Sequence, residues 1–180
     1  MITNLLISGY RSFELGVFKD DDPKVAVIKK CLKEEIRSYI EEGVQWFLTS
    51  GQFGVEQWAV EVINELKEEY PEIKQGLLFP FLEFGSNWNE QNQAKLMQLK
   101  KQVDFVEAVS HQPYKDPSQL KNHQAFMLEH TQGALLVYDL ENEGKTKWLY
   151  QAILKKQEKG EYECRLIDFD QLQNTVLEEE

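Results

Sequence analysis

Residues 44–66, VQWFLTSGQFGVEQWAVEVINEL, decide the fold. Residues 44–49 form a near-continuous apolar run of strand length, and Ser50-Gly51-Gln52-Phe53-Gly54 is a tight glycine-bearing turn. Val55, Trp58, Ala59, Val62, Ile63 and Leu66 then recur at helical spacing. A strand that passes through a short glycine turn directly into a helix is half of a βαβ unit. The first turn of such a helix points unpaired N–H groups and a positive dipole end across the C-terminal end of the strand before it.

The same alternation extends both ways. Upstream, residues 2–8 read as a buried strand. Asp22-Pro23 then opens a helix, because Asp is a good N-cap and Pro suits the first helical position. Val25, Ile28, Leu32, Ile36 and Tyr39 line one face of it, and Gly43 supplies the stop. Downstream, Tyr70-Pro71 ends the central helix. Strands are expected over 73–81, 103–109, 133–139 and 162–167, with helices over 94–101 and 118–130 and within 144–159. Residues 83–92 are a polar stretch, 111–117 a loop, and 178–180 an acidic tail expected to fray. Strands alternating with helices predict right-handed crossovers and the α/β class. The expected architecture is a Rossmann-like three-layer sandwich around a mostly parallel sheet of about six strands.

Composition narrows the function. With 180 residues, 42% of them hydrophobic and 28% charged, residues 1–180 are read as a single domain. A net charge of -11 argues against a nucleic-acid backbone or an anionic membrane as partner. Cys31 and Cys164 lack the spacing of a zinc or redox motif and are expected to be buried small hydrophobes. The three histidines lack metal-ligand spacing, so no metal is expected, and no HExxH, GxSxG or CxxC occurs. There is no basic leader segment and no apolar run near the ~20 residues of a membrane span, which points to the cytoplasm.

In open α/β sheets, ligands sit outside the carboxyl ends of the strands, so the loops on that rim are the candidates. After the first strand come Gly9, Tyr10 and Arg11: Gly9 permits a tight turn, and Arg11 is either a plain surface residue or a planar donor for phosphate. The turn of Gly51, Gln52 and Gly54 leads to Glu56 in the first helical turn. Glu56 is a dipole partner, an acceptor of ribose hydroxyls or, in an enzyme, a general base. A bulkier residue at Gly54 is expected to block a ligand while the fold survives. After the fifth strand, Asp139 ends an apolar run, and Gly144 and Thr146 open a helix in which Thr146 either caps or meets phosphate. Ser86-Asn87-Trp88 and His111-Gln112-Pro113-Tyr114 lie on the same rim, His111 without an evident catalytic partner.

Together, ISGYRSFELGVF, LTSGQFGVEQWAVE, FPFLEFGSNWNE, SHQPYKDPSQLK and GALLVYD followed by EGKTKW resemble the YpsA family of low-GC Gram-positive bacteria, over nearly the whole chain. That family sits in the wider SMF/DprA–LOG (SLOG) superfamily. The resemblance implies a nucleotide-type ligand such as ADP-ribose or another NAD-derived molecule; no cofactor is assigned from the sequence. It also implies a regulatory role touching cell division, through a protein partner in that machinery. The implied ligand loop falls on Gly51, Gly54 and Glu56, with Gly9 and Arg11 beside it. The chain departs from the PGGxGTxxE signature of the LOG enzymes: GQFGVE and EGKT are both incomplete, Lys145 replaces a glycine, and Gln124 stands where an Asn is common. These departures bear on hydrolysis more than on binding.

Three functions compete. The leading one is a ligand-sensing regulatory protein. The second is an N-glycosidase or phosphoribohydrolase using Glu56 and Arg11. A DprA-like nucleic-acid partner is the third, and the charge argues against it. Self-association is left open.

Overall fold

A computed structural model describes residues 1–179. Six strands form one all-parallel sheet in the order β4-β3-β2-β1-β5-β6, where β1 is Asn4–Gly9, β2 Trp46–Thr49, β3 Lys74–Phe79, β4 Phe105–Ala108, β5 Gly133–Val137 and β6 Glu163–Ile167. The helices between them are α1 (Pro23–Glu41), α2 (Val55–Glu69), α3 (Glu90–Gln102), α4 (Ser118–Glu129) and α5 (Lys147–Lys159), with α6 (Phe169–Glu179) after the last strand. This is the Rossmann-like sandwich that the alternation predicts. From β1 the chain steps outward to β4, then returns across β1 to β5 and β6. Right-handed crossovers therefore put α1, α2 and α3 on one face and α4 and α5 on the other. The order reverses between β1 and β5, whose register runs from Leu5↔Gly133 to Gly9↔Val137.

The centre of the sheet is dry. Leu5, Ile7, Leu135, Leu136 and Val137 are fully buried, with Ile36, Ile63 and Leu66 packed from the helices. The strands shrink relative to their apolar runs. Pro80 has no N–H to give the ladder, so β3 stops at Phe79. The edge strand β4 is four residues long and leaves Phe105, Val106 and Glu107 exposed, unlike the fully covered strand its sequence suggests. Helix α3 starts four residues earlier than its apolar pattern does, because Asn89 caps it by accepting the Asn92 N–H at 2.8 Å. Cys31 is buried as expected, whereas Cys164 is only half-buried on β6, the other edge.

Two elements were not anticipated. A short 3₁₀ turn occupies Ser12–Leu15 and closes on Gly16 in the left-handed region. Helix α6 occupies a segment given no element by the sequence reading, and extends into the tail expected to fray. It runs to Glu179, and only Glu180 of the expected frayed tail lies outside the described residues. It packs against α1, and Gln171 Nε2 donates to Cys31 Sγ and to Glu35 Oε1. No helix among the described residues is long and apolar enough to cross a membrane.

Asp168 starts α6 by accepting the Gln171 N–H at 2.9 Å. Asp168→Ala is expected to cost about 0.5–2 kcal/mol, read as a lower urea midpoint with an unchanged slope.

Candidate functional site

The site is built where β1, β2 and β5 end. Gly9 closes β1 against its neighbours: a Cβ there would stand 2.7 Å from the Val137 carbonyl oxygen and 2.9 Å from Val55 Cγ1. Gly54, at φ +98, is still more constrained. A Cβ on it would lie 2.5 Å from Ser12 N and 2.6 Å from Tyr10 O, and the next residue donates its N–H to Tyr10 O at 3.1 Å. The close approach that this glycine permits is therefore by the chain's own β1 loop. This corrects the expectation that a bulkier residue at Gly54 leaves the fold intact, since a side chain there would strike backbone. Gly51, at φ +76, lies instead against side chains: a Cβ there would stand 2.7 Å from the Phe79 ring.

Glu56 is buried in the first turn of α2, and both of its oxygens are engaged. Oε2 accepts the Ser8 hydroxyl at 2.9 Å, and Oε1 accepts the N–H groups of Ser50 at 2.9 Å and Gln52 at 3.3 Å. It thus ties β1 to the turn that follows β2. Burial pushes its carboxyl above the usual 4.5, against the opposing pull of Arg11 and of these donors. Gln52 also accepts the Phe53 N–H through its side chain. The half-buried Arg11 guanidinium acts on Glu56 through its charge, and among the described residues it makes no hydrogen bond or ion pair of its own.

Across the reversal point, Tyr10 and Asp139 are structural. The buried Tyr10 hydroxyl accepts the Asp139 N–H at 2.9 Å and donates to Asn142 O at 2.6 Å, and its ring leans on Tyr138 and Phe169. Burial raises this phenol to about 12. Asp139 accepts from the N–H groups of Glu141 and Phe169, which hold its carboxyl below the ordinary range. Gly144 lies under Glu14: a Cβ there would be 2.4 Å from Glu14 Oε2. Thr146 is the N-cap of α5, yet its hydroxyl makes no capping bond. It is 3% exposed, and Thr146 Oγ1 has no hydrogen-bond partner.

The ten residues singled out on the three loops are thus brought to one rim, but they divide by job. Gly9, Tyr10, Gly51, Gly54, Glu56 and Asp139 face inward and hold the loops together. Arg11 and the mouth of α5 keep unused bonding capacity. Sequence reasoning missed Glu14, which carried no motif, and the cavity beside the rim. That cavity is a groove of about 1050 Å³ between α2 and α3, with Phe13, Phe53, Gly54, Gln57 and Trp58 among its walls. Lys95 spans it with ion pairs to Asp20 at 3.0 Å and Glu61 at 3.7 Å. His111 is exposed and lines a separate hollow of about 460 Å³ beside the edge strand β4. No group of three or more His, Cys, Asp or Glu among the described residues could hold a metal ion.

Comparison with known proteins gives a consistent family. The YpsA model, described as the YspA SLOG family, matches residues 5–172. A UPF0398 protein of Enterococcus faecalis is 52% identical over 178 residues, covering 99% of each chain. UPF0398 proteins of Levilactobacillus brevis (51% over 177 residues, 98% of this chain and 94% of the other) and Leuconostoc citreum (50% over 173 residues, 96% and 92%) are similar.

The Glu56 geometry yields a signed prediction. Its folded carboxyl titrates above 4.5, so its contribution is present at low pH and is lost as pH rises through the folded value. Glu56→Gln should therefore gain stability relative to wild type as pH rises above 4.5, in denaturation curves taken across the pH range. Glu56→Ala strands the buried Ser8 hydroxyl and two part-buried N–H groups and should be destabilised at every pH, by roughly 1–3 kcal/mol for the buried bond left unmade.

Proposed function

The chain belongs to the YpsA (YspA SLOG) family, and from that footing we propose that it is a nucleotide-binding regulatory protein whose ligand lies across the rim between Arg11 and the groove beside α2. The observation that carries this reading is the Arg11 guanidinium. It stands at the end of the central strand, next to a carboxylate already satisfied by three donors, with its own hydrogen-bonding edge unspent. A planar cation in that position suits a phosphoryl or carboxylate group. The adjoining groove has room for a base and ribose. Its walls include the rings of Phe13 and Phe53, which meet edge-on at 6.3 Å.

Recognition is favoured over hydrolysis by Glu56 itself. A general base needs to reach a substrate proton or water, and this carboxylate is buried with its oxygens turned to Ser8, Ser50 and Gln52. In this reading Glu56 holds the loop that the ligand touches. ADP-ribose or another NAD-derived molecule fits the two-part site, and the family resemblance supports a signal passed to a protein partner in the cell-division or envelope machinery.

Calorimetry with AMP and adenosine tests the core of this. Arg11→Ala should weaken AMP binding at least tenfold, about 1.4 kcal/mol, while leaving adenosine nearly unchanged. Equal losses would remove Arg11 from the phosphate. Wild type incubated with AMP, NAD or ADP-ribose should release no base, and release abolished by Glu56→Gln would make the protein an enzyme.

A further inference from the structure

Glu14 sits on the 3₁₀ turn after β1, and its carboxylate reaches across the strand-order reversal. Oε1 accepts the Arg11 N–H at 2.8 Å and Oε2 accepts the Lys145 N–H at 2.9 Å. Lys145 is the residue before the N-cap of α5, a helix of 13 residues, so that N–H lies at the helix mouth, where the positive end of the dipole favours an anion. The carboxylate oxygen is so close to Gly144 that no side chain fits between them. Thr146, in the same turn, keeps a buried hydroxyl with no partner. A hydroxyl buried without a hydrogen bond costs about 1–3 kcal/mol, and a helix cap that leaves it unbonded is half of a site.

We infer that the mouth of α5 is an anion site filled by the protein's own Glu14, and that a phosphoryl ligand binds there by displacing this carboxylate. The inference rests on the reading that the rim takes a phosphorylated ligand and adds what the ligand must compete with. A phosphoryl group brings three acceptor oxygens, enough for the Lys145 N–H, the Thr146 hydroxyl and the nearby Arg11 guanidinium. Glu14 brings two, and one of them is already spent on Arg11 N. Displacement also frees the 3₁₀ turn, because Glu14 bonds it to the α5 loop, while Phe13 next to it holds only an edge contact with Phe53 and the Lys145 ammonium over its ring at 5.5 Å. Occupancy of the site would thus become a change in the position of Phe13, which is 46% exposed.

The probe is inorganic pyrophosphate, titrated by calorimetry into three full-length proteins. Glu14→Gln removes the competing charge but keeps one acceptor, and should bind pyrophosphate about tenfold more tightly than wild type or better. Adding Thr146→Val should cancel that gain. Thr146→Val alone should raise the melting temperature, since it deletes an unpaired buried hydroxyl, which a purely capping threonine would not do. Amide exchange over residues 11–16 should speed up when pyrophosphate binds wild type. Unchanged affinity in Glu14→Gln, a gain that survives Thr146→Val, or no pyrophosphate binding in any of the proteins would overturn the inference. The two readings separate cleanly. AMP binding that depends on Arg11 but ignores Glu14 sinks only the self-occupied site. Tighter pyrophosphate binding in Glu14→Gln without AMP binding sinks only the nucleotide reading.

Discussion

A carboxylate buried between a strand and a helix must be given donors, and the rim of this molecule is arranged around doing so. Glu56 takes the hydroxyl of Ser8 from the central strand and two backbone N–H groups from the turn after β2. Those bonds fix where the turn goes. The turn in turn brings Gly54 against Tyr10 and Ser12 at a separation that only a glycine allows. Once the β1 loop is pinned there, Tyr10 and Glu14 can reach over β5 and hold the opposite loop. The Arg11 side chain is left open beside a carboxylate whose two oxygens are both engaged.

The same logic explains the two glycines of the turn into α2. Gly51 and Gly54 both have positive φ and both lie against protein atoms. Gly54 brings two loops of one chain together, and Gly51 lets the turn pack on Phe79 and Leu96, whether or not a ligand follows. A glycine-bearing turn at a helix N-terminus therefore identifies a place where backbone comes close, and here the neighbour is the protein itself.

The fold was legible because its signals are local and periodic. The apolar runs of β1 and β5, the Asp22-Pro23 start of α1 and the turn into α2 are each readable within a few residues. The site was legible only as a set of loops. That Arg11 and Glu56 share an environment follows from parallel pairing of β1 with β2, which strand order gives; that Tyr10 bonds Asp139 does not, since it depends on side-chain reach across 129 positions. Glu14 was invisible because an acid in a polar loop looks like a solvated one. Helix α6 was missed although Phe169, Leu172 and Val176 recur at helical spacing, because it follows the last strand and lies outside the alternation of strands and helices.

The pairing of β1 with β5 also sets an order of assembly. β1 can pair with β2, and the sheet can grow outward to β4, using only the first part of the chain. Its other edge, and with it the Tyr10 and Glu14 ties, must wait for residues 133–145. On a ribosome that delivers the chain from its N-terminus, the central strand is made first and satisfied last. A nascent chain carries half of the rim with an open flank on β1, and the complete rim comes into being only near the end of synthesis.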